Sequence, residues 1–283
     1  MKKLPINMTT TRFGLYLPNF GELAKPDNMV KLAKLAEEKG WEGIFLWDHI
    51  PTDNSKTAYD PWLLLSLMAV NTEKIRIGTT VTPLARRRPQ KIAKEIVTLD
   101  HISNGRFTLG IGLGNEKEFV AYGEPFKTRE VAEKLDECVE ILHLLWSGEQ
   151  VDYKGKHYQI KAQHLPTPVQ KQIPIWVGGK WPNKAPFRRA AKYQGVFPLK
   201  VGDGDGLTYQ DYSDILEYIE KHGGDLKNYD VVMTVYSEGD PEKDKWMNAY
   251  RKAGVNWFID CLDPGRGSVE ELFGRVRRGP PEP

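Results

Sequence analysis

Residues 75–114 constrain the fold of this chain most, because they read as a strand, a helix and a second strand in close succession. The β-branched residues Ile77 and Val81 supply the first strand, Pro89 opens the helix at a position that tolerates proline, and a new apolar run begins at Phe107. A strand–helix–strand unit of this kind has parallel strands and a right-handed crossover. The segment therefore predicts an α/β protein.

Strand and helix patterns alternate eight times along the 283 residues, which favours a closed (β/α)8 TIM barrel over an open doubly wound sheet. Continuous apolar runs at 43–47 and 173–177 are typical of strands that are buried on both faces. The open sheet stays an alternative because the sixth strand, at 195–198, is short. A hairpin insertion is predicted at about 148–172, after the fourth helix at 128–146.

The composition argues against several classes of protein. The net charge is only +2, so we expect no nucleic-acid partner. No stretch reaches the roughly 18 apolar residues of a membrane helix, so we expect no membrane partner and a cytoplasmic location. Cys138 and Cys261 lie in apolar patterns, as buried thiols do, and no spacing of the histidines suits a metal site. We expect one domain over 1–283, with a disordered tail at 278–283.

Titratable residues at the carboxyl ends of barrel strands are the first candidates for catalysis. Asp48 and His49 follow the second predicted strand. A histidine at this position can donate a proton or hydrogen-bond an electron-rich ring, and a neighbouring carboxylate can tune it. The alternative is a structural histidine that bonds a backbone carbonyl.

A second group of residues has the chemistry to bind an anion. Gly178 and Gly179 would let backbone N–H groups approach a phosphate closely, and Lys180 and Arg189 add positive charge. The alternative is a glycine loop that precedes a solvated basic helix. The arginine triplet at 86–88 is less specific, and we interpret it as a solvated face.

The sequence also resembles the luciferase-like monooxygenases in five stretches, which together run through most of residues 12–198. The resemblance implies a (β/α)8 barrel with an insertion, often dimeric, that binds FMN or the deazaflavin coenzyme F420. The C-terminal third matches only as a generic barrel. The stretches are EEKGWEGIFLWDHI (37–50), IRIGTTVTPLARRRPQKIAKEIVTLDHISNGRFTLGIGLG (75–114), EFVAYGEPF (118–126), ILHLLWSGEQVDYKGKHY (141–158) and PTPVQKQIPIWVGGKWPNKAPFRRAAKYQGVFP (166–198).

The resemblance implies roles for several residues around the cofactor ring. In the deazaflavin-using relatives, the residue that matches His49 lies near the reactive ring and the one that matches Asp48 accompanies it. Thr80, Val81 and Thr82 match a segment that lies along the ring. Such a segment often contains a cis non-proline peptide, for which Thr80–Val81 is the candidate here.

The residues that line the cofactor tail in the family have matches here, but a catalytic residue of one branch of the family does not. Gly178 and Gly179 match positions that line the tail. In the sugar-phosphate dehydrogenase branch, a catalytic glutamate follows the glycines of the fourth strand. Asn115 stands at that position here, with Glu116 beside it, so the resemblance does not imply that substrate.

The residues and the resemblance together predict a flavin- or deazaflavin-dependent oxidoreductase that acts on an unidentified small organic substrate. The predicted partners are a flavin reductase or another reductant and a second copy of the chain. The alternatives are a Schiff-base lyase or isomerase that uses Lys180 or Lys200, and a non-catalytic cofactor-binding protein. His49 is the predicted proton donor, oriented by Asp48. The predicted cofactor contacts are Asn19, Thr80, Val81, Thr82, Gly114, Asn115, Gly178, Gly179, Lys180 and Arg189.

Overall fold

Eight parallel strands close into a ring in the computed structural model, which describes residues 10–52, 57–162, 166–202, 206–240 and 242–281. The ring runs β1-β2-β3-β5-β8-β9-β10-β11 and returns to β1, and β4 continues β3 along the edge of β5. This confirms the TIM barrel, and the open-sheet alternative is wrong. The strands are β1 (Arg12–Leu17), β2 (Gly43–Leu46), β3 (Arg76–Thr79), β4 (Thr82–Pro83), β5 (Phe107–Gly112), β6 (Val151–Lys154), β7 (Gln159–Ala162), β8 (Ile175–Trp181), β9 (Gly195–Lys200), β10 (Asp230–Val235) and β11 (Trp257–Cys261).

Helices cover the outside of the barrel, and the first three begin with a proline at their first turn. One short helix, α4, follows β5 and was not predicted from the sequence. Another short helix begins at Met247, after residues 242–246 that form turns. The helices are α1 (Pro26–Glu38), α2 (Pro61–Val70), α3 (Pro89–Ile102), α4 (Glu116–Ala121), α5 (Thr128–Trp146), α6 (Lys184–Ala190), α7 (Tyr209–Lys221), α8 (Met247–Lys252) and α9 (Val269–Arg277).

The predicted insertion is the antiparallel hairpin β6–β7. It is tied to α5 by Glu137, whose carboxylate accepts the backbone N–H groups of residues 156, 157 and 158. Residues 163–165 of the predicted insertion lie outside the described residues. None of the described helices combines the length and the apolarity that a membrane crossing requires.

The C-terminal segment differs from the predicted disordered tail. Gly279 and Pro281 are buried, and the Gly279 carbonyl accepts a 2.7 Å hydrogen bond from Arg275 Nη1. The indole of Trp41 donates to the carbonyl of Val276 just before this segment, so residues 278–281 continue a packed helix end. Residues 282–283 lie outside the described residues.

The inside of the barrel is filled by an aromatic cluster, which consists of Phe45, Trp176, Phe197 and Trp257 together with Val232 and Ile259. A Cβ on Gly195 would lie 2.4 Å from Trp176 Cδ1, so this strand needs glycine to admit the indole. At the amino end, Asp230 accepts hydrogen bonds from the indoles of Trp176 (2.9 Å) and Trp257 (3.0 Å). Arg12 adds a 3.0 Å ion pair to the same carboxylate. These contacts close the amino end of the barrel interior, and the opposite, carboxyl end is where active sites occur in such barrels.

Candidate active site

The imidazole of His49 projects from the loop after β2 and contacts Glu118 on α4. The His49 Nδ1 and Glu118 Oε1 atoms are in hydrogen-bond contact, so an ionised Glu118 assigns the hydrogen to Nδ1. The His49 side chain is 43% exposed and lies edge-to-face with the Trp47 ring at 5.7 Å. The Nε2 atom has no partner among the described residues and is available to a ligand.

Glu118 is held as a buried carboxylate. Its second oxygen accepts a 2.6 Å hydrogen bond from Arg86 Nη1 and a 3.4 Å hydrogen bond from the backbone N–H of Ile50. Burial alone would raise the pKa of Glu118, but the hydrogen bonds and charges of His49 and Arg86 outweigh it and lower the pKa. The carboxylate is therefore ionised at neutral pH and can orient the imidazole.

Asp48 does not orient His49, contrary to the sequence prediction. Its buried carboxylate accepts hydrogen bonds from Arg87 Nη2, at 2.7 and 2.9 Å, and from the Trp62 indole at 3.3 Å. Arg86 connects the two acidic groups, since its Nη2 atom donates to the Asp48 carbonyl at 3.1 Å. Glu118 is thus the carboxylate that contacts the His49 imidazole, whereas Asp48 binds the neighbouring arginines.

The arginine triplet is not a solvated face. Arg86 and Arg87 are partly buried, with 6% and 21% of their side chains exposed, and each binds a carboxylate. Only Arg88 is exposed. The prediction failed because a one-dimensional pattern does not reveal which carboxylates face a basic loop.

The segment Thr80–Thr82 contains the predicted cis peptide between Thr80 and Val81. The hydroxyl groups of Thr80 and Thr82 are buried, and neither has a hydrogen-bond partner in the part of the chain that the structure describes. The same holds for the buried indole nitrogen of Trp47, which follows the neighbouring strand. Buried polar atoms normally have hydrogen-bond partners, so these three atoms together indicate that a ligand supplies the partner.

Two glycines make room for the side chain of Val81. A Cβ on Gly112 would lie 2.5 Å from Val81 Cγ2, and a Cβ on Gly178 would lie 2.8 Å from Val81 Cγ1. Val81 also packs against the aromatic cluster inside the barrel. The ends of β5 and β8 are thus shaped around the segment that follows β3.

Several predicted cofactor contacts are engaged in holding the site loops instead. The amide of Asn19 donates to the carbonyls of His49 (2.8 Å) and Tyr59 (2.9 Å), and its oxygen accepts the His49 backbone N–H at 3.3 Å. Asn115 caps α4 by accepting the Lys117 N–H at 3.1 Å. These contacts fix the segments that carry His49 and Glu118, and they do not support contact with a ring.

Gly114 and Gly179 are needed for packing at the same strand ends. Gly114 has a φ of +82°, and a Cβ there would lie 2.7 Å from Pro83. A Cβ on Gly179 would lie 2.2 Å from Pro186, on the helix that follows β8. Packing therefore requires glycine at both positions, whether or not a cofactor binds there.

The two basic residues that were predicted to bind a phosphate, Lys180 and Arg189, lie in different surroundings. Arg189 forms a bidentate pair with Asp136 on α5, at 2.5 and 2.9 Å, and its side chain is only 10% exposed. This pair joins two helices outside the barrel and gives no support to a phosphate contact. Lys180 is exposed, and its position on β8 is in register with Leu199 on β9. Lys180 is thus at the open end of the barrel and Arg189 is not.

Glu118, Arg86 and Arg87 are the functional residues that sequence reasoning missed. Glu118 is the third residue of a helix that follows the asparagine cap Asn115, next to the buried Phe119. A carboxylate in that position, just after a barrel strand, is the one signal that could have been used.

Residues 8–253 match the family described as luciferase-like monooxygenase. The chain belongs to the luciferase-like monooxygenase family. It is 28% identical over 235 residues to the F420-dependent glucose-6-phosphate dehydrogenase of Nakamurella multipartita, and the alignment covers 80% of this chain and 68% of that protein.

Two solved structures have the fold of this family member. One is the coenzyme F420-dependent tetrahydromethanopterin reductase from Methanopyrus kandleri, with a TM-score of 0.76 and 21% identity, covering 95% of this chain and 98% of that one. The other is the oxygenating constituent of 3,6-diketocamphane monooxygenase of Pseudomonas putida in complex with FMN. It has a TM-score of 0.66 and 18% identity, covering 95% of this chain and 84% of that one.

Proposed function

We propose that the protein is an oxidoreductase that binds coenzyme F420, or alternatively FMN, at the open end of the barrel and acts on a small organic substrate. Such a cofactor supplies hydride transfer when bound, and FMN adds reaction with oxygen. The observation that carries the proposal is the half-exposed His49, whose Nδ1 contacts Glu118 and whose Nε2 has no partner among the residues that the structure describes. His49 would donate or accept the proton at Nε2.

The residues at this end fit a flat ring with hydrogen-bonding edges. The unpartnered hydroxyls of Thr80 and Thr82 and the indole N–H of Trp47 are buried, and each such group costs about 1–3 kcal/mol while it stays unsatisfied. The ring edges of a flavin or deazaflavin offer acceptors and donors for such groups. Val81 and Lys180 would lie against the ring and the anionic tail respectively.

Coenzyme F420 is the first choice between the two cofactors. The similarity to enzymes named as F420-dependent supports it. A positioned proton donor also suits a deazaflavin, because hydride transfer at carbon must be matched by transfer of a proton. The solved relative in complex with FMN is the reason to retain FMN as the alternative.

Titration of the purified protein with F420 and with FMN tests the proposal. We expect one of them to quench tryptophan fluorescence with a dissociation constant far below about 1 mM, a weak affinity on the usual scale. Thr82→Val should weaken binding because it removes one of the buried hydroxyls, and Thr98→Val, at an exposed position on α3, serves as the control. Absence of binding by both cofactors would contradict the proposal.

The Schiff-base alternative receives no support from the geometry. A lysine nucleophile must be desolvated or placed beside another cation to react at neutral pH. Lys180 and Lys200 are both exposed. The anchored imidazole of His49 likewise argues against a protein that only stores a cofactor.

We also propose a homodimer formed through the outer face of α2. This helix is apolar on all sides, although a helix at the surface normally has a polar outer face. Leu63 and Val70 are 69% and 65% exposed, and Leu67 lies between them at helical spacing. A twofold contact uses the same patch on both copies. Leu63→Glu should shift the mass measured by light scattering to that of a monomer; an unchanged mass would exclude this interface.

A further inference from the structure

One side of the open end is built from β1 and from β9–β11, which follow one another around the ring. Tyr16, on β1, packs against the rings of Trp47 at 5.1 Å and Phe197 at 5.6 Å. Its hydroxyl group hydrogen-bonds no other group among the described residues. Burial raises the pKa of Tyr16, with smaller contributions from Cys261 and Tyr236, so this hydroxyl remains a protonated donor.

A second unpartnered hydroxyl lies two strands away. Thr234 follows Val232 by two residues on β10, so it shares the inward face of that strand with a member of the aromatic cluster. Its Oγ1 atom is buried and has no hydrogen-bond partner within the described ranges. The register pairs Thr234 with Ile259, and Tyr16 with Cys261, so the two hydroxyls flank β11 from both sides.

The surroundings of these hydroxyls are largely apolar. Leu199 follows Phe197 by two residues and is 41% exposed, and Val201 and Tyr236 beyond the ends of β9 and β10 are 48% and 60% exposed. Burial raises the pKa of the Cys261 thiol to about 12, so it too is uncharged. The charged group beside this thiol is the Asp263 carboxylate, 3.6 Å from Cys261 Sγ, which disfavours an anionic ligand.

The arginines near this side are committed to Asp260. Arg266 and Arg275 bind its carboxylate at 2.5 and 2.8 Å. Lys200 Nζ lies 3.4 Å from the carbonyl of Gly206. Strand β8 carries one further cation among the described residues, Lys180, and the proposed function places it against the cofactor tail.

We infer that the substrate is an uncharged, largely apolar molecule whose single hydroxyl or carbonyl oxygen is bound by Tyr16 and Thr234. This inference rests on the proposed function, because the cofactor ring forms the other wall of the site. It separates this chain from the sugar-phosphate dehydrogenases that it resembles in sequence. A phosphate on this side would lose its hydration without gaining a free arginine.

Ligand binding to the cofactor-loaded protein tests the inference without turnover. The absorbance of bound oxidised F420, or FMN if only FMN binds, is recorded while cyclohexanone, 2-heptanone, glucose 6-phosphate or inorganic phosphate is added. We expect saturable spectral changes with at least one ketone, and none with the two phosphates at the same concentrations. Tyr16→Phe and Thr234→Val should each weaken ketone binding about three- to tenfold, the range for one neutral hydrogen bond. Tyr209→Phe, at an exposed position that begins α7, should leave it unchanged.

The outcomes separate the two proposals. If a cofactor binds and glucose 6-phosphate saturates at lower concentration than every ketone, the inference is overturned and the proposed function stands. The inference is equally overturned if no ketone changes the spectrum, or if both hydroxyl variants bind ketone as tightly as the unaltered chain. If neither cofactor binds, the proposed function fails and the inference falls with it.

Discussion

Two buried aspartates at the carboxyl end of the barrel each bind two arginines, yet the two clusters end differently. In the histidine network, Asp48 and Glu118 hold Arg86 and Arg87, and Glu118 leads on to the half-exposed His49. In the closed network, Asp260 holds Arg266 and Arg275 and accepts a 2.6 Å hydrogen bond from Ser237. Similar chemistry therefore serves two purposes in one molecule.

The difference lies in what remains unsatisfied. The described groups that contact the Asp260 carboxylate all donate hydrogen bonds to it, so this network fastens strand β11 to α9. The histidine network contains an additional carboxylate, Glu118, and that carboxylate anchors an imidazole whose second nitrogen has no partner among the described residues. An ionic cluster of this kind indicates a functional site only when it ends in a group that a ligand can reach.

The largest expected effect comes from removing the exposed end of the histidine network. His49→Ala should lower kcat about 10²- to 10⁴-fold, the usual contribution of a positioned general acid or base. Cofactor affinity should change little, because the ring contacts proposed for Thr80 and Thr82 remain. Steady-state kinetics and fluorescence titration measure the two quantities, with His222→Ala at the exposed end of α7 as the control. Equal turnover in His49→Ala and the unaltered chain would remove the proposed role.

The second prediction compares the two aspartates by stability. Asp260→Ala leaves the guanidinium of Arg275, only 3% exposed, without its charge partner, and should lower the free energy of unfolding by about 3–5 kcal/mol. Asp48→Ala should cost less, because Arg86 keeps Glu118 and Arg87 is 21% exposed. Urea denaturation followed by circular dichroism gives both values. A larger loss for Asp48→Ala would reverse this view of the two networks.

The third prediction concerns Glu118 and separates orientation from simple packing. Glu118→Ala removes a hydrogen bond to the imidazole, and a bond to a charged group contributes about 1.5–3 kcal/mol, so kcat should fall about ten- to hundredfold. Glu118→Gln keeps an oxygen that can accept the Nδ1 hydrogen and should recover part of this loss. If both variants lose kcat equally while their cofactor affinity is unchanged, the negative charge and not the orientation is what matters.

The sequence was sufficient for the fold because the fold depends on local patterns. The apolar run at 43–47 and the helix that opens at Pro89 can be recognised without any contact from elsewhere. The βαβ unit then restricts the topology to a few arrangements. The cis peptide at Thr80–Val81 was expected only from the family resemblance, since spacing and composition do not reveal it.

The site could be predicted only in part, because its decisive contacts join residues far apart in the chain. His49 was recognised by its position after a strand, but its partner Glu118 is 69 residues away on a short helix. Asp48 was the nearer carboxylate in sequence, yet adjacent residues of an extended segment point in opposite directions. Arg86 and Arg87 resembled a solvated pair for the same reason: their acceptors are distant in sequence.

The smallest expected effect is the pH dependence that the histidine network gives to stability. The pKa of Glu118 is lower in the folded protein than its ordinary value of 4.5, because the hydrogen bonds and charges of His49 and Arg86 outweigh burial. A carboxyl group with a lowered pKa stabilises the fold fully above its ordinary pKa, and this stabilisation is lost as the pH falls through the lowered value. Urea midpoints of the unaltered chain should therefore fall on acidification from pH 6, and those of Glu118→Gln should fall less. The neighbouring Glu116→Gln, exposed on the same helix, should retain the full decrease. If Glu118→Gln retains it as well, the carboxylate of Glu118 is not held by these cations in solution, and the contrast with the closed network loses its basis.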